Sequence, residues 1–225
     1  MKEIIRKKEK EITKVKNGIT ELVFILDKSG SMSRMVEDTI GGFNAMIEKQ
    51  KQQEGKCLVS TVLFSTETTV LHDRVDLSEV KPLNREDYAV GGCTALMDAI
   101  GGAIHHIGNI HKYARPEDVP AHTMFLITTD GLENASHIYS SRKVKEMIKK
   151  QEEKYGWEFL FIAANIDAVE TASHIGIRGE RAANYVQDSE GTGSVYASMC
   201  EAITFVRKNR TVEESGWLGK LKKDR

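Results

Sequence analysis

The residues best placed to do chemistry in this 225-residue chain are oxygen donors set two apart. Asp27-Lys28-Ser29-Gly30-Ser31 puts a carboxylate ahead of hydroxyls at +2 and +4, with Gly30 letting the backbone turn tightly between them. In a loop that enters a helix, alternate residues can point at one centre, so Asp27, Ser29 and Ser31 are able to share a ligand. All three offer oxygen, the donor that Mg²⁺, Mn²⁺ and Ca²⁺ prefer. A helix N-cap explains the same residue types, because Ser and Asp both satisfy free amides at a helix start. Two further loops weigh toward a ligand. Leu126-Ile127-Thr128-Thr129-Asp130-Gly131 places a second carboxylate after an apolar run, and Gly91-Gly92-Cys93-Thr94 adds a hydroxyl just ahead of a helical stretch that begins Ala95-Leu96-Met97.

The elements that must position these donors alternate along the chain. Strands are predicted over 21–27, 57–64, 68–72, 122–128, 157–163 and, weakly, 182–186, with helices near 34–51, 95–112, 140–154, 168–175 and 192–208. Strand, helix, strand, helix is an α/β pattern. Leu22-Val23-Phe24-Ile25-Leu26 is apolar without alternation, as a central parallel strand covered on both faces must be. Only Ser65-Thr66-Glu67 separates the second and third runs, which forces an antiparallel hairpin at a sheet edge. Open parallel sheets bind ligands beyond the carboxyl ends of their strands, and that is where Asp27 and Asp130 fall.

Asp27-x-Ser29-x-Ser31, Thr94 and Asp130, in this order and spacing, resemble the metal-ion-dependent adhesion site (MIDAS) of von Willebrand factor type A domains over roughly residues 20–207. The resemblance implies a doubly wound, Rossmann-like, mostly parallel six-stranded sheet with one antiparallel edge strand and helices on both faces. It implies a metal held directly or nearly so by Ser29, Ser31 and Thr94, with Asp27 and Asp130 acting largely through bound water. Mg²⁺ or Mn²⁺ is expected in preference to Ca²⁺. Neutral hydroxyl ligands leave the ion electrophilic, so an open position would attract an Asp or Glu of a protein partner. By analogy, compact stand-alone bacterial proteins of this family, some of them in stress-response operons, are the nearest in kind.

Other candidates carry less. Asp98, one helical turn beyond Thr94, is a possible second carboxylate behind the site, although an acid near a helix start explains it equally well. His105, His106 and His111 have spacings that do not bring them to one helix face as the i, i+4 pair of a zinc helix does. Gly191-Thr192-Gly193-Ser194 is expected to be a plain helix start. Cys57, Cys93 and Cys200 are widely separated and odd in number, which fits reduced thiols better than a disulfide framework.

Composition bounds the function. Lys+Arg total 32 against 33 Asp+Glu, which argues against nucleic acid as the main ligand. The balance is uneven: residues 18–206 hold 18 basic and 27 acidic side chains, whereas 1–17 and 207–225 each hold seven basic and three acidic. The expected organisation is a charged N-terminal extension over 1–17, one domain over 18–207 and a basic tail over 208–225. No apolar run approaches the ~20 residues of a membrane helix, and the first residues lack the apolar segment of a secretory signal, so a cytoplasmic protein is expected. Two rivals to a metal-dependent binding module stand. One is a Mg²⁺-dependent phosphatase or phosphotransferase using Asp27, although the acid/base expected two residues on is Ser29. The other is a structural module with an unoccupied site. The chain has neither a nucleophile-elbow pattern nor a phosphate-loop pattern, and the expectation is a non-enzyme.

Overall fold

The computed structural model describes residues 18–221. The charged stretch 1–17 lies outside them, as do Lys222 and Lys223. Six strands form one sheet: β1 (Thr20–Asp27), β2 (Cys57–Phe64), β3 (Thr68–Asp76), β4 (His122–Thr129), β5 (Glu158–Ala163) and β6 (Ala182–Asn184), in the order β3-β2-β1-β4-β5-β6. All neighbours run parallel except β2 and β3, the edge hairpin. Among the described residues, six α-helices cover it: α1 (Val36–Lys51), α2 (Leu96–Tyr113), α3 (Ser141–Tyr155), α4 (Ala168–His174), α5 (Ser189–Arg207) and α6 (Trp217–Leu221). This is the doubly wound α/β architecture expected from the alternation of elements.

The alternation of side chains along β1 explains the two layers. Leu22, Phe24 and Leu26 pack toward α1, α5 and α6, while Val23 and Ile25 pack toward α2, α3 and α4. Every residue of β1 is buried, so the strand has no solvent face and reads as an unbroken apolar run. Its buried acid, Glu21, is matched by Arg74 Nε at 2.5 Å and His111 Nε2 at 2.6 Å.

Several boundaries differ from expectation, each for a local reason. β3 runs on to Asp76 because a bulge, with Arg74 at φ 52°, restores pairing between Asp76 and Leu58. α5 starts three residues earlier than expected: the Asp188 carboxylate accepts from the Gly191 amide at 2.7 Å, so Gly191-Thr192-Gly193-Ser194 lies inside the helix rather than before it. The chain also stays packed beyond 207. Val212, Trp217 and Leu221 are buried in the α1/α5 layer, so the segment expected to be a basic tail carries a short apolar helix that docks on the domain.

Candidate metal centre

Parallel pairing of β1 with β2 and β4 brings the ends of β1 and β4 side by side at the carboxyl edge of the sheet. Asp27, the last residue of β1, is buried. Its Oδ1 accepts from the Ser29 amide at 2.7 Å and its Oδ2 from the Thr129 hydroxyl at 2.6 Å. The hydroxyl of Tyr88 donates to the Asp27 carbonyl oxygen, fixing the backbone at the same point. Ser29 precedes a short 3-10 turn (Gly30–Arg34) yet makes no capping bond with its side chain. Its Oγ lies 3.1 Å from Ser31 Oγ, and Ser31 Oγ donates to Asp130 Oδ1 at 2.6 Å. The N-cap alternative therefore does not describe Ser29, whose hydroxyl faces its partner donors.

Thr94 reaches the same place from a loop stitched on three sides. Gly30 N donates to Gly92 O at 3.1 Å, Cys93 N to Thr66 Oγ1 at 2.9 Å and Ala95 N to Ser65 O at 2.8 Å. Gly92 sits at φ 77°, and a Cβ there would lie 2.6 Å from Thr66 Oγ1, so only glycine serves. The Thr94 amide donates to Asn134 Oδ1 at 2.8 Å, and its carbonyl accepts from the Asn134 amide at 3.0 Å. Gly131 completes the enclosure. The point where its Cβ would stand is 3.6 Å from Thr94 Oγ1 and 3.9 Å from Ser31 Oγ, so the absence of a side chain leaves the space between those hydroxyls open.

The structure thus gathers Asp27, Ser29, Ser31, Thr94 and Asp130. Among the described residues, no three His, Cys, Asp or Glu side chains cluster as a metal site; this group has two carboxylates among hydroxyls. Burial pushes the Asp27 carboxyl above the ordinary range, and the nearby charge of Asp130 adds to that, against the opposing hydrogen bonds of Thr129 and Ser29. A buried anion held against its own desolvation, beside a second anion, is a place where a cation restores balance. An all-oxygen donor set with small neutral hydroxyls fits a hard divalent ion.

Asp98, one turn beyond Thr94, spends its carboxylate on backbone amides. Its carboxylate accepts from the amides of His137, Ile138 and Tyr139 at 2.7 to 2.9 Å. Partial burial opposes ionisation there, and those three amides outweigh it, holding the carboxyl below the ordinary range. Asp98 therefore shapes the loop that follows Asp130. Glu133 does the same from within, accepting from the amides of Met97, Ala135 and Ser136. The histidines have separate tasks: His106 meets Asp73 at 2.8 Å and His111 meets Glu21.

Sequence reasoning missed Thr129, Tyr88 and Gln187. Gln187 donates to Asp130 Oδ2 at 2.6 Å from the loop before α5, and Asn165 in turn donates to Gln187 Oε1 at 2.7 Å. Thr129 alone carried a signal, since it stands directly before Asp130 at the strand end.

No family profile and no curated protein sequence matches the chain. Solved structures do. Proximal thread matrix protein 1 from the mussel byssus, solved with zinc in its MIDAS motif, is 14% identical with a TM-score of 0.55, over 84% of this chain and 46% of that one. A von Willebrand factor type A protein from Catenulispora acidiphila is 11% identical with a TM-score of 0.53, over 83% of this chain and 42% of that one. The chain therefore spans less than half the length of either. At these identities the likeness establishes the fold, and the doubly wound six-stranded sheet described above is that of the von Willebrand factor type A domain.

Proposed function

We propose that this chain is a divalent-metal-dependent protein-binding module. The observation that carries the reading is the convergence of Asp27, Ser29, Ser31 and Asp130 through hydrogen bonds of 2.6 to 3.1 Å, with Thr94 facing them across Gly131. Ser29, Ser31 and Thr94 would hold the ion, and Asp27 and Asp130 would supply charge and orient its waters. The oxygen-only donor set favours Mg²⁺ or Mn²⁺; the zinc held by the mussel protein supports divalent use in this fold. What such an ion supplies when bound is an open position that takes a carboxylate oxygen of a partner's Asp or Glu.

The remaining work belongs to the chain. Thr129 and the Ser29 amide each donate to one oxygen of Asp27, and Tyr88 anchors its carbonyl, so Asp27 is a buried support held in one orientation. A nucleophile for phosphotransfer must reach its substrate and work with a carboxyl acid/base two residues on, whereas Asp27 is buried and the residue two positions on is Ser29. This favours binding over catalysis. Among the described residues no helix is long and apolar enough to cross a membrane. A cytoplasmic role in complex assembly or stress response is proposed by analogy alone.

Thermal unfolding with and without metal tests the reading. At 100 times its dissociation constant, Mg²⁺ or Mn²⁺ should stabilise the wild type by about 2.7 kcal/mol, and Thr94→Ala should respond far less. Affinity capture in Mg²⁺ should recover partners that EDTA releases. Equal stabilisation of wild type and Thr94→Ala, or recovery indifferent to EDTA, would remove the metal from the account.

A further inference from the structure

The donors described above stand at the ends of β1 and β4 and in the loop before α2, and the carboxyl edge of the sheet continues past them to β5 and β6. A line of side-chain hydrogen bonds follows it. Gln187, in the loop between β6 and α5, donates from Nε2 to Asp130 Oδ2 at 2.6 Å. Asn165, two residues past the end of β5, donates from Nδ2 to Gln187 Oε1 at 2.7 Å. The backbone keeps the three strand ends in step: Ala164 N donates to Thr129 O at 3.1 Å and Tyr185 N to Ala163 O at 3.0 Å. Asn165 itself holds φ 56°, a left-handed conformation that Asn enters more readily than most residues. Both ends of the Gln187 amide are thus engaged within this line, one on Asp130 and one on Asn165.

The consequence falls on Asp130. It is only 2% exposed, and it accepts from the Ser31 hydroxyl on Oδ1 and from Gln187 on Oδ2. A carboxylate with a donor on each oxygen is fixed in rotation, because turning both oxygens toward one ion would break at least one of the two bonds. The common hard cations respond differently to that restraint. Ca²⁺ takes about six to eight oxygens and often binds a carboxylate through both of its atoms, whereas Mg²⁺ takes about six in a near-ideal octahedron and keeps water among them. Ligand number and flexibility decide between the two ions. An Asp130 that offers one orientation suits the smaller ion and withholds the extra oxygen that the larger one uses.

We propose that Gln187, anchored by Asn165, is a positioning residue that sets the preference of the centre for Mg²⁺ over Ca²⁺ by keeping Asp130 from presenting both oxygens. The inference rests on the metal-binding reading above and adds to it the group that tunes which ion is held. Gln187 acts through Asp130, as partners behind a ligand set do in other metal sites.

The test is titration calorimetry of the full chain with MgCl₂ and with CaCl₂, each alone, on wild type, Gln187→Met and Asn165→Ala. Met keeps the length of the side chain and removes its donor and acceptor. Wild type should bind Mg²⁺ more tightly than Ca²⁺. In Gln187→Met that preference should shrink about tenfold, the scale of one hydrogen bond to a charged group, chiefly through tighter Ca²⁺ binding. Asn165→Ala leaves Gln187 in place without its anchor, so the preference should shrink in the same direction and by less. A purely structural role for these bonds predicts a lower melting temperature in EDTA with the preference intact. A preference unchanged in both variants, affinities for the two ions that fall together, or a wild type that binds Ca²⁺ as tightly as Mg²⁺ would overturn the inference while leaving the metal centre standing. If wild type binds neither ion, or if binding survives Thr94→Ala undiminished, the metal-binding reading fails and the inference fails with it.

Discussion

Thr129 donates its hydroxyl to Asp27 Oδ2 at 2.6 Å, joining the last residue of β4 to the last residue of β1. The bond spans two parallel neighbours at the edge where the candidate metal centre lies. It makes Asp27 the product of two strands, with one oxygen oriented by its own loop and the other by β4.

Thr129→Val should accordingly weaken Mg²⁺ binding with little change in fold. The methyl replaces the hydroxyl at nearly the same volume, leaving one oxygen of a buried carboxylate without its donor. A loss of about 1–3 kcal/mol attends an unsatisfied buried group, and titration calorimetry against Mg²⁺ alongside Thr129→Ser, which keeps the hydroxyl, shows whether the hydrogen bond is what binding needs.

Asp27→Asn should raise the melting temperature of the metal-free protein while abolishing stabilisation by Mg²⁺. Burial lifts the carboxyl of Asp27 above its ordinary range, so the folded state holds that proton more tightly than the unfolded chain. In EDTA, stability contributed by Asp27 then falls as pH rises from the ordinary carboxylate range through the raised value, and is lowest where the group is ionised. The Asn variant lacks that slope. Melting curves in EDTA from the ordinary carboxylate value of about 3.9 upward through neutrality check both signs.

Among the three thiols, Cys93 should react first. It is exposed, while Cys57 and Cys200 are buried and burial pushes the Cys57 thiol up to about 12. The thiolate is the reactive form. Ellman's reagent at pH 8 should titrate one thiol per chain in the native state and three in guanidinium, and Cys93→Ser should remove the fast one.

Glu21→Ala should cost about 3–5 kcal/mol, because it strands the Arg74 guanidinium and the His111 ring beside an emptied, fully buried position. Urea unfolding reads the loss. Metal affinity per folded molecule should be unchanged, since Glu21 lies at the opposite end of β1 from Asp27.

What was legible in the sequence followed from local rules. Unbroken apolar runs marked the central strands, the three-residue gap after Phe64 marked the edge hairpin, and the carboxylates at two strand ends pointed to one edge of the sheet. The hidden part depends on contacts between distant residues. Gln187 meets Asp130 across 57 positions and Tyr88 meets Asp27 across 61, and neither stands in a pattern that periodicity detects. Asp98 showed the limit most plainly, because its place one turn after Thr94 suited a role at the donors, whereas the loop brought to it by β4 offered three amides. The helix at Trp217–Leu221 is only five residues long, too short for an amphipathic stripe to appear; its docking is decided by Trp217 finding a buried seat beside α5.

The chain enters the fold at Thr20, the amino end of the strand whose carboxyl end carries Asp27. The strand is eight residues long from the first to the second, a span of about 23 Å. Gly18, next to that amino end, therefore sits at the edge of the sheet remote from the donors. A tether fixed at Gly18 would put the length of the central strand between the anchor and the donor edge, so that position serves as a handle.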